Sequence, residues 1–64
     1  MGNPLHHSIE DLKILTYRLP NGERAVCEEA LHEAAVARAR GDKQVIQTRM
    51  EYVRGVLRNC KVLE

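Results

Sequence analysis

Sixty-four residues with no Trp, no Phe and only two Tyr allow one small domain, with a core built from Leu, Ile, Val, Ala and Met. A net charge of +1 argues against a strong preference for polyanions, and two cysteines are too few for a disulfide framework. A core this small, without large aromatics, is marginal alone, so the composition predicts helix on helix and self-association into a homo-oligomer.

Charge is unevenly placed. Residues 1–35 carry three basic and six acidic side chains, and residues 36–64 carry seven basic and three acidic. An acidic half followed by a basic half suits antiparallel pairing within or between chains, or an anion site on the second half. No apolar run approaches the ~20 residues that span a bilayer, so no membrane partner is expected. The N-terminus lacks the basic start and apolar stretch of a signal peptide, and reduced cysteines fit a cytoplasmic setting.

Residues 1–7 read as a flexible arm, with Gly2, Asn3 and Pro4 and no periodicity. Ser8 is placed to cap a helix, with Asp11 three positions on in the manner of a capping box. The segment 8–21 supports three readings. As a helix, Ile9, Leu12, Leu15 and Leu19 share a face, while Ile14 and Tyr17 point away. As a strand, Leu15, Tyr17 and Leu19 alternate with Ile14, Thr16 and Arg18, and Pro20-Asn21-Gly22 suits a three-residue hairpin loop. A short β-hairpin, a short helix and an extended arm all remain open, with Asn21 as helix N-cap in the helical case.

The rest reads as an αα-hairpin, with helices over about 22–40 and 42–62. In the first, Val26, Cys27, Ala30, Leu31, Ala34 and Ala37 gather on one side, and Glu28, Glu29 and His32 on the other. Gly41 stands where a left-handed terminal residue is expected, and Asp42 follows as the next N-cap. In the second, Ile46, Met50, Val53, Leu57 and Cys60 repeat with 4-3-4-3 spacing, a heptad seam that predicts a core or an oligomer interface. Val45, Tyr52, Val56 and Leu63 widen the seam beyond what one helix covers, so the N-terminal segment or a second chain must also touch it. The fold class expected is mainly α, a single small domain that self-associates into a helical bundle.

Enzyme signatures are absent: no nucleophile elbow, no phosphate-binding Gly-rich loop, no Cys-x-x-Cys and no His-Glu-x-x-His. No catalytic residue, cofactor or metal is therefore expected. His6 and His7 fall in the arm, and His32 lies across its helix from Cys27, which defeats both a metal set and a Cys–His pair. Cys27 and Cys60 are expected as reduced core thiols. Glu28, Glu29 and Glu33 form an acidic cluster, either a solvated face or a docking surface for a basic partner.

The basic residues carry the sharpest binding hypothesis. Arg54, Arg58 and Lys61 follow i, i+4, i+7 spacing on one flank, with Lys43 on the same side. Such a stripe either solvates the helix edge or holds phosphates while an aromatic takes a base, and Tyr17 beside Arg18 is the candidate aromatic. Arg49 falls inside the apolar arc, where it needs Glu33, Glu29 or a ligand phosphate as partner.

The order of features resembles a family of small phage proteins with a helical-hairpin domain that sequester cyclic-nucleotide immune signals. Tyr17-Arg18-x-Pro20 precedes Glu23-Arg24 and an Ala-rich helix. A second helix follows, reading Gln47-Thr48-Arg49-Met50 and then Val53-Arg54-Gly55-Val56-Leu57-Arg58, so the likeness spans roughly residues 16–60. It implies a non-enzymatic anti-defence oligomer with nucleotide pockets between chains, near Tyr17, Arg18 and the second helix. In size and layout alone the chain also resembles short αα-hairpins that dimerise and bind paired RNA. The leading expectation is a sponge for a nucleotide second messenger. The alternatives are an adaptor or inhibitor gripping a host protein or RNA, and a purely structural piece.

Overall fold

The computed structural model describes residues 8–63, and the arm expected over 1–7 lies outside them together with His6 and His7. Three helices follow in order: α1 (Ile9–Thr16), α2 (Asn21–Arg40) and α3 (Lys43–Asn59).

Of the three conformations open for residues 8–21, the helix is the one observed, and there is no strand among the described residues. Its start is chemically specified. The Asp11 N–H donates to Ser8 Oγ at 3.1 Å, and the Ser8 N–H donates to the Asp11 carboxylate at 3.3 Å, so Asp serves where Glu is usual in a capping box. The helix buries Ile9 and Leu12, and the turn after it buries Leu19. Ile14 and Tyr17 remain 65% and 60% exposed, as the helical phase requires. A lone two-stranded hairpin would have lacked a sheet to pack on. Thr16 is fully buried, and its hydroxyl donates to the Lys13 carbonyl at 2.6 Å, so its burial leaves no unmet donor.

Pro20, rather than Asn21, takes the N-cap position of α2. Proline disfavours helix at the residue before it and has no N–H to lose at a helix start, so it separates α1 from α2. Asn21 is the first helical residue, and its amide oxygen accepts from the Arg24 guanidinium at 3.1 Å.

The α2–α3 turn forms at the expected place. Gly41 has φ +75°, the Asp42 N–H donates to the Ala37 carbonyl at 2.9 Å, and the Gly41 N–H donates to Arg38 at 3.1 Å. This pair of bonds is a Schellman motif. The Asp42 carboxylate then accepts from the Val45 N–H at 3.3 Å and starts α3. The same motif closes α3, with Lys61 in glycine's role: φ is +60°, the Val62 N–H donates to Leu57 at 2.8 Å, and the Lys61 N–H donates to Arg58 at 3.0 Å.

The three helices share one core and form a single domain. Cys27, Ala30, Leu31 and Ala34 of α2 cluster with Met50, Val53 and Leu57 of α3 and with Ile9, Leu12 and Leu19. Alanines on α2 let the helices approach closely, and α1 touches both. The seam from Ile46 to Cys60 is therefore core within one chain, with Ile46 and Cys60 half-buried at its ends. One residue departs from the expected pattern: Val26, placed by periodicity on the buried side of α2, is 45% exposed. It sits at the edge of the apolar arc, and no third helix lies on that edge.

Two substitutions at left-handed residues should act in opposite directions in chemical denaturation. Lys61→Gly is expected to stabilise by roughly 0.5–1 kcal/mol, and Gly41→Ala to destabilise by about 1 kcal/mol, because a Cβ is unfavourable at positive φ. Shifts of the same sign would contradict this account of the two helix ends. Leu57→Ala, at a fully buried site, is expected to cost about 2–5 kcal/mol.

Candidate functional site

A helical hairpin has two broad faces, and here they differ. On α2, Glu28, Leu31, Ala35 and Arg38 turn toward α1 and line a cleft of about 460 Å³ with Ile9 and Lys13. The Arg38 guanidinium meets the Glu10 carboxylate across it at 3.0 Å. Val26, Glu29, Glu33 and Val36 lie roughly 160° further round the same helix, on the side away from α1. That second face is open.

Three adjoining hollows run along it. At the turn end, Val36 and Ala37 face Val45 around about 260 Å³. In the middle, Val26, Glu29 and Glu33 face Arg49 and Tyr52 around about 300 Å³. At the far end, Gly22 and Val26 face Tyr52 and Val56 around about 240 Å³. Val26 at 45%, Val36 at 39% and Tyr52 at 50% exposure put three large apolar side chains in water along this groove, with Ile14 and Tyr17 exposed elsewhere on α1 and the turn after it.

An ion pair sits at the centre of the groove. Arg49 Nε lies 2.7 Å from Glu33 Oε1, which realises one of the pairings expected for Arg49. The carboxylate stands off the direction of the N–H bond, so the buried Nε makes no hydrogen bond among the described residues. Both side chains remain nearly half exposed, so the pair by itself contributes under about 1 kcal/mol.

The remaining basic and aromatic candidates are distributed differently. Arg54 is four-fifths buried. Its Nη1 is 3.8 Å from Glu51, and its Nε is buried with no acceptor among the described residues. Arg58 and Lys61 are exposed near the end of α3, and Tyr17 and Arg18 are exposed in the turn after α1. Arg49 lines one of the four clefts described above, whereas Arg54, Arg58, Lys61, Tyr17 and Arg18 line none of the four.

Both cysteines are free thiols. Burial pushes the Cys27 thiol up, with Cys60 and the Glu23 carboxylate adding to the shift. A thiol kept protonated is a poor nucleophile, which agrees with a packing role. Among the described residues, no three His, Cys, Asp or Glu side chains are grouped to hold a metal, and no helix is long and apolar enough to cross a membrane.

Two features escaped the sequence reading. The Glu10–Arg38 pair joins residues 28 positions apart, which no local spacing reveals. The groove was legible in principle, because Val26, Glu29, Glu33 and Val36 repeat with 3-4-3 spacing and Val45, Arg49, Tyr52 and Val56 with 4-3-4. The α3 row reads as the widened apolar arc with Arg49 inside it, whereas Glu29 and Glu33 mask the α2 row. Comparison with protein-family models, with curated proteins and with solved structures finds no match.

The Glu10 carboxyl is held below its ordinary value of 4.5, first by the hydrogen bond from Arg38 and next by its own backbone. A depressed carboxyl contributes stability above its unfolded value, and the contribution disappears as pH falls through the lowered one. An NMR titration of Glu10 should therefore give a midpoint below 4.5 in the wild type and a higher one in Arg38→Ala. An unchanged midpoint would show that the contact does not hold α1 in solution.

Proposed function

We propose that the protein is a non-enzymatic binding module, a self-associating adaptor or inhibitor that grips a macromolecule through the open α2–α3 face. The observation that carries this reading is the groove itself. Two heptad-spaced rows with exposed Val26, Val36 and Tyr52 run the length of the hairpin, and α1 covers only the opposite side. An apolar strip rimmed by charge is the usual character of a protein-docking surface. The two tyrosines provide an internal control, since Tyr52 lies in the groove and Tyr17 outside it. Hydroxyl-radical labelling should modify both in dilute purified protein. In cells, where partners are present at working concentration, Tyr52 should be protected and Tyr17 should not. Equal labelling of the two in cells would overturn the reading.

A second reading, a sponge for an anionic nucleotide, rests on Arg54. A buried guanidinium whose Nε lacks an acceptor is costly, and a phosphate oxygen would satisfy it. Arg58 lies one turn on, and Arg18 and Tyr17 would have to approach from the α1–α2 turn. Calorimetry with cyclic dinucleotides separates the two readings. A sponge binds tightly and loses binding in Arg54→Ala and Arg58→Ala. Absence of heat from wild type removes the sponge and leaves the docking face. A short RNA in its place would bind with an affinity that falls steeply with salt.

A further inference from the structure

We infer that the occupant of the open face is a second copy of this chain, related by a two-fold axis that runs along the helices. This inference rests on the docking reading above and names its partner.

The charge pattern of the face is self-complementary in only one arrangement. Along its middle and far end the face carries Glu23, Glu29 and Glu33 on α2 and Arg49 on α3, while Arg40 of α2 and Asp42 at the α3 cap line its turn end. Two such faces can stack about an in-plane two-fold in two ways. An axis across the helices lays α2 over the second copy's α2, so that Glu29 and Glu33 near its middle meet the same acids. An axis along the helices lays α2 over the second copy's α3 and keeps every residue at its own height, so each pair that meets across the groove within one chain also meets across the interface. Val36 then lies against the second copy's Val45, and Val26 against the second copy's Tyr52 and Val56. Between these two apolar layers, Glu33 and Arg49 of both copies close a ring of four alternating charges. Arg49 Nε, buried and without a hydrogen bond among the described residues, gains a second carboxylate.

The dimensions suffice. A 20-residue helix is about 30 Å long, and two helices about 9 Å apart present a face roughly 20 Å wide. That is roughly 600 Å² of footprint per copy, near the lower end of specific interfaces. The result is a four-helix bundle in which adjacent α2 and α3 are antiparallel all the way round, with the charged ring fixing the register.

Sedimentation and native mass spectrometry test this. Wild type should run at twice the 7.3 kDa chain mass at high micromolar concentration. Glu33→Arg and Arg49→Glu, each with helical circular dichroism, should each run as monomers, because their rings would carry four like charges. An equimolar mixture of the two should run as a dimer, because every cross-interface contact again joins opposite charges. The double exchange, Glu33→Arg with Arg49→Glu, should dimerise with itself but not with isotope-labelled wild type, since α2 would then meet its own charge on α3. Mixed dimers there would overturn the axis along the helices. If the single variants fail to fold, Tyr52→Asp, at an exposed site, replaces them and should also be monomeric. Monomeric wild type, or single variants as dimeric as wild type, would overturn the inference. Monomeric wild type with Tyr52 protected in cells would leave the docking face standing with a different occupant, whereas unprotected Tyr52 would remove both.

Discussion

Everything in this fold follows from one constraint: a two-helix hairpin has two apolar sides, and among the described residues one eight-residue helix is there to cover them. α1 closes one side by inserting Ile9 and Leu12 into the cluster that Leu31, Val53 and Leu57 share. The alanines of α2 and the absence of large aromatics keep the layer thin, so none of the described residues reaches through to shield the other side. The open groove is thus a consequence of size and composition.

Magnitudes decide which interactions matter. The Glu33–Arg49 pair is nearly half exposed and contributes at most about 1 kcal/mol, and the Glu10–Arg38 pair is more exposed still. Burying a single leucine contributes roughly 1.5–3 kcal/mol, and the four in the cluster, Leu12, Leu19, Leu31 and Leu57, are fully or almost fully buried. Apolar packing therefore holds the monomer, and the ion pairs orient its parts. Glu33–Arg49 changes character only when its surroundings are sealed, because desolvated charges tolerate no mismatch. A pair that weakly supports one chain can thereby dictate how two chains register.

Much of the fold was legible in the sequence, for identifiable reasons. Gly41-Asp42 announced the turn because a left-handed residue followed by an N-cap carboxylate has few other uses. The seam from Ile46 to Leu57 announced α3 through its unbroken heptad spacing, and Arg49 was correctly expected to seek an acid such as Glu33. Residues 8–21 were not decided locally, since the Leu15–Leu19 alternation fits a strand as well as a helix. What selected the helix was tertiary: Ile9 and Leu12, three residues apart, both enter the shared core, which a helix allows and a two-residue period does not. Val26 was misplaced because its position at the edge of the arc is settled by which side α1 takes. Arg49, expected inside the apolar arc and apart from the stripe of Arg54, Arg58 and Lys61, does lie in the groove, while Arg54 is four-fifths buried beside Glu51.

The central claim is that one face of the hairpin is closed within the chain and the other is completed only by a partner. Methyl NMR with a soluble paramagnetic probe, followed across a dilution series, measures both faces in one experiment. The account predicts that Leu12, Val53 and Leu57 are shielded at every concentration. Val26, Val36, Val45 and Val56 should be broadened by the probe when dilute and become shielded together as concentration rises. Valine methyls shielded even at the lowest concentration, or broadened at every concentration, would contradict it.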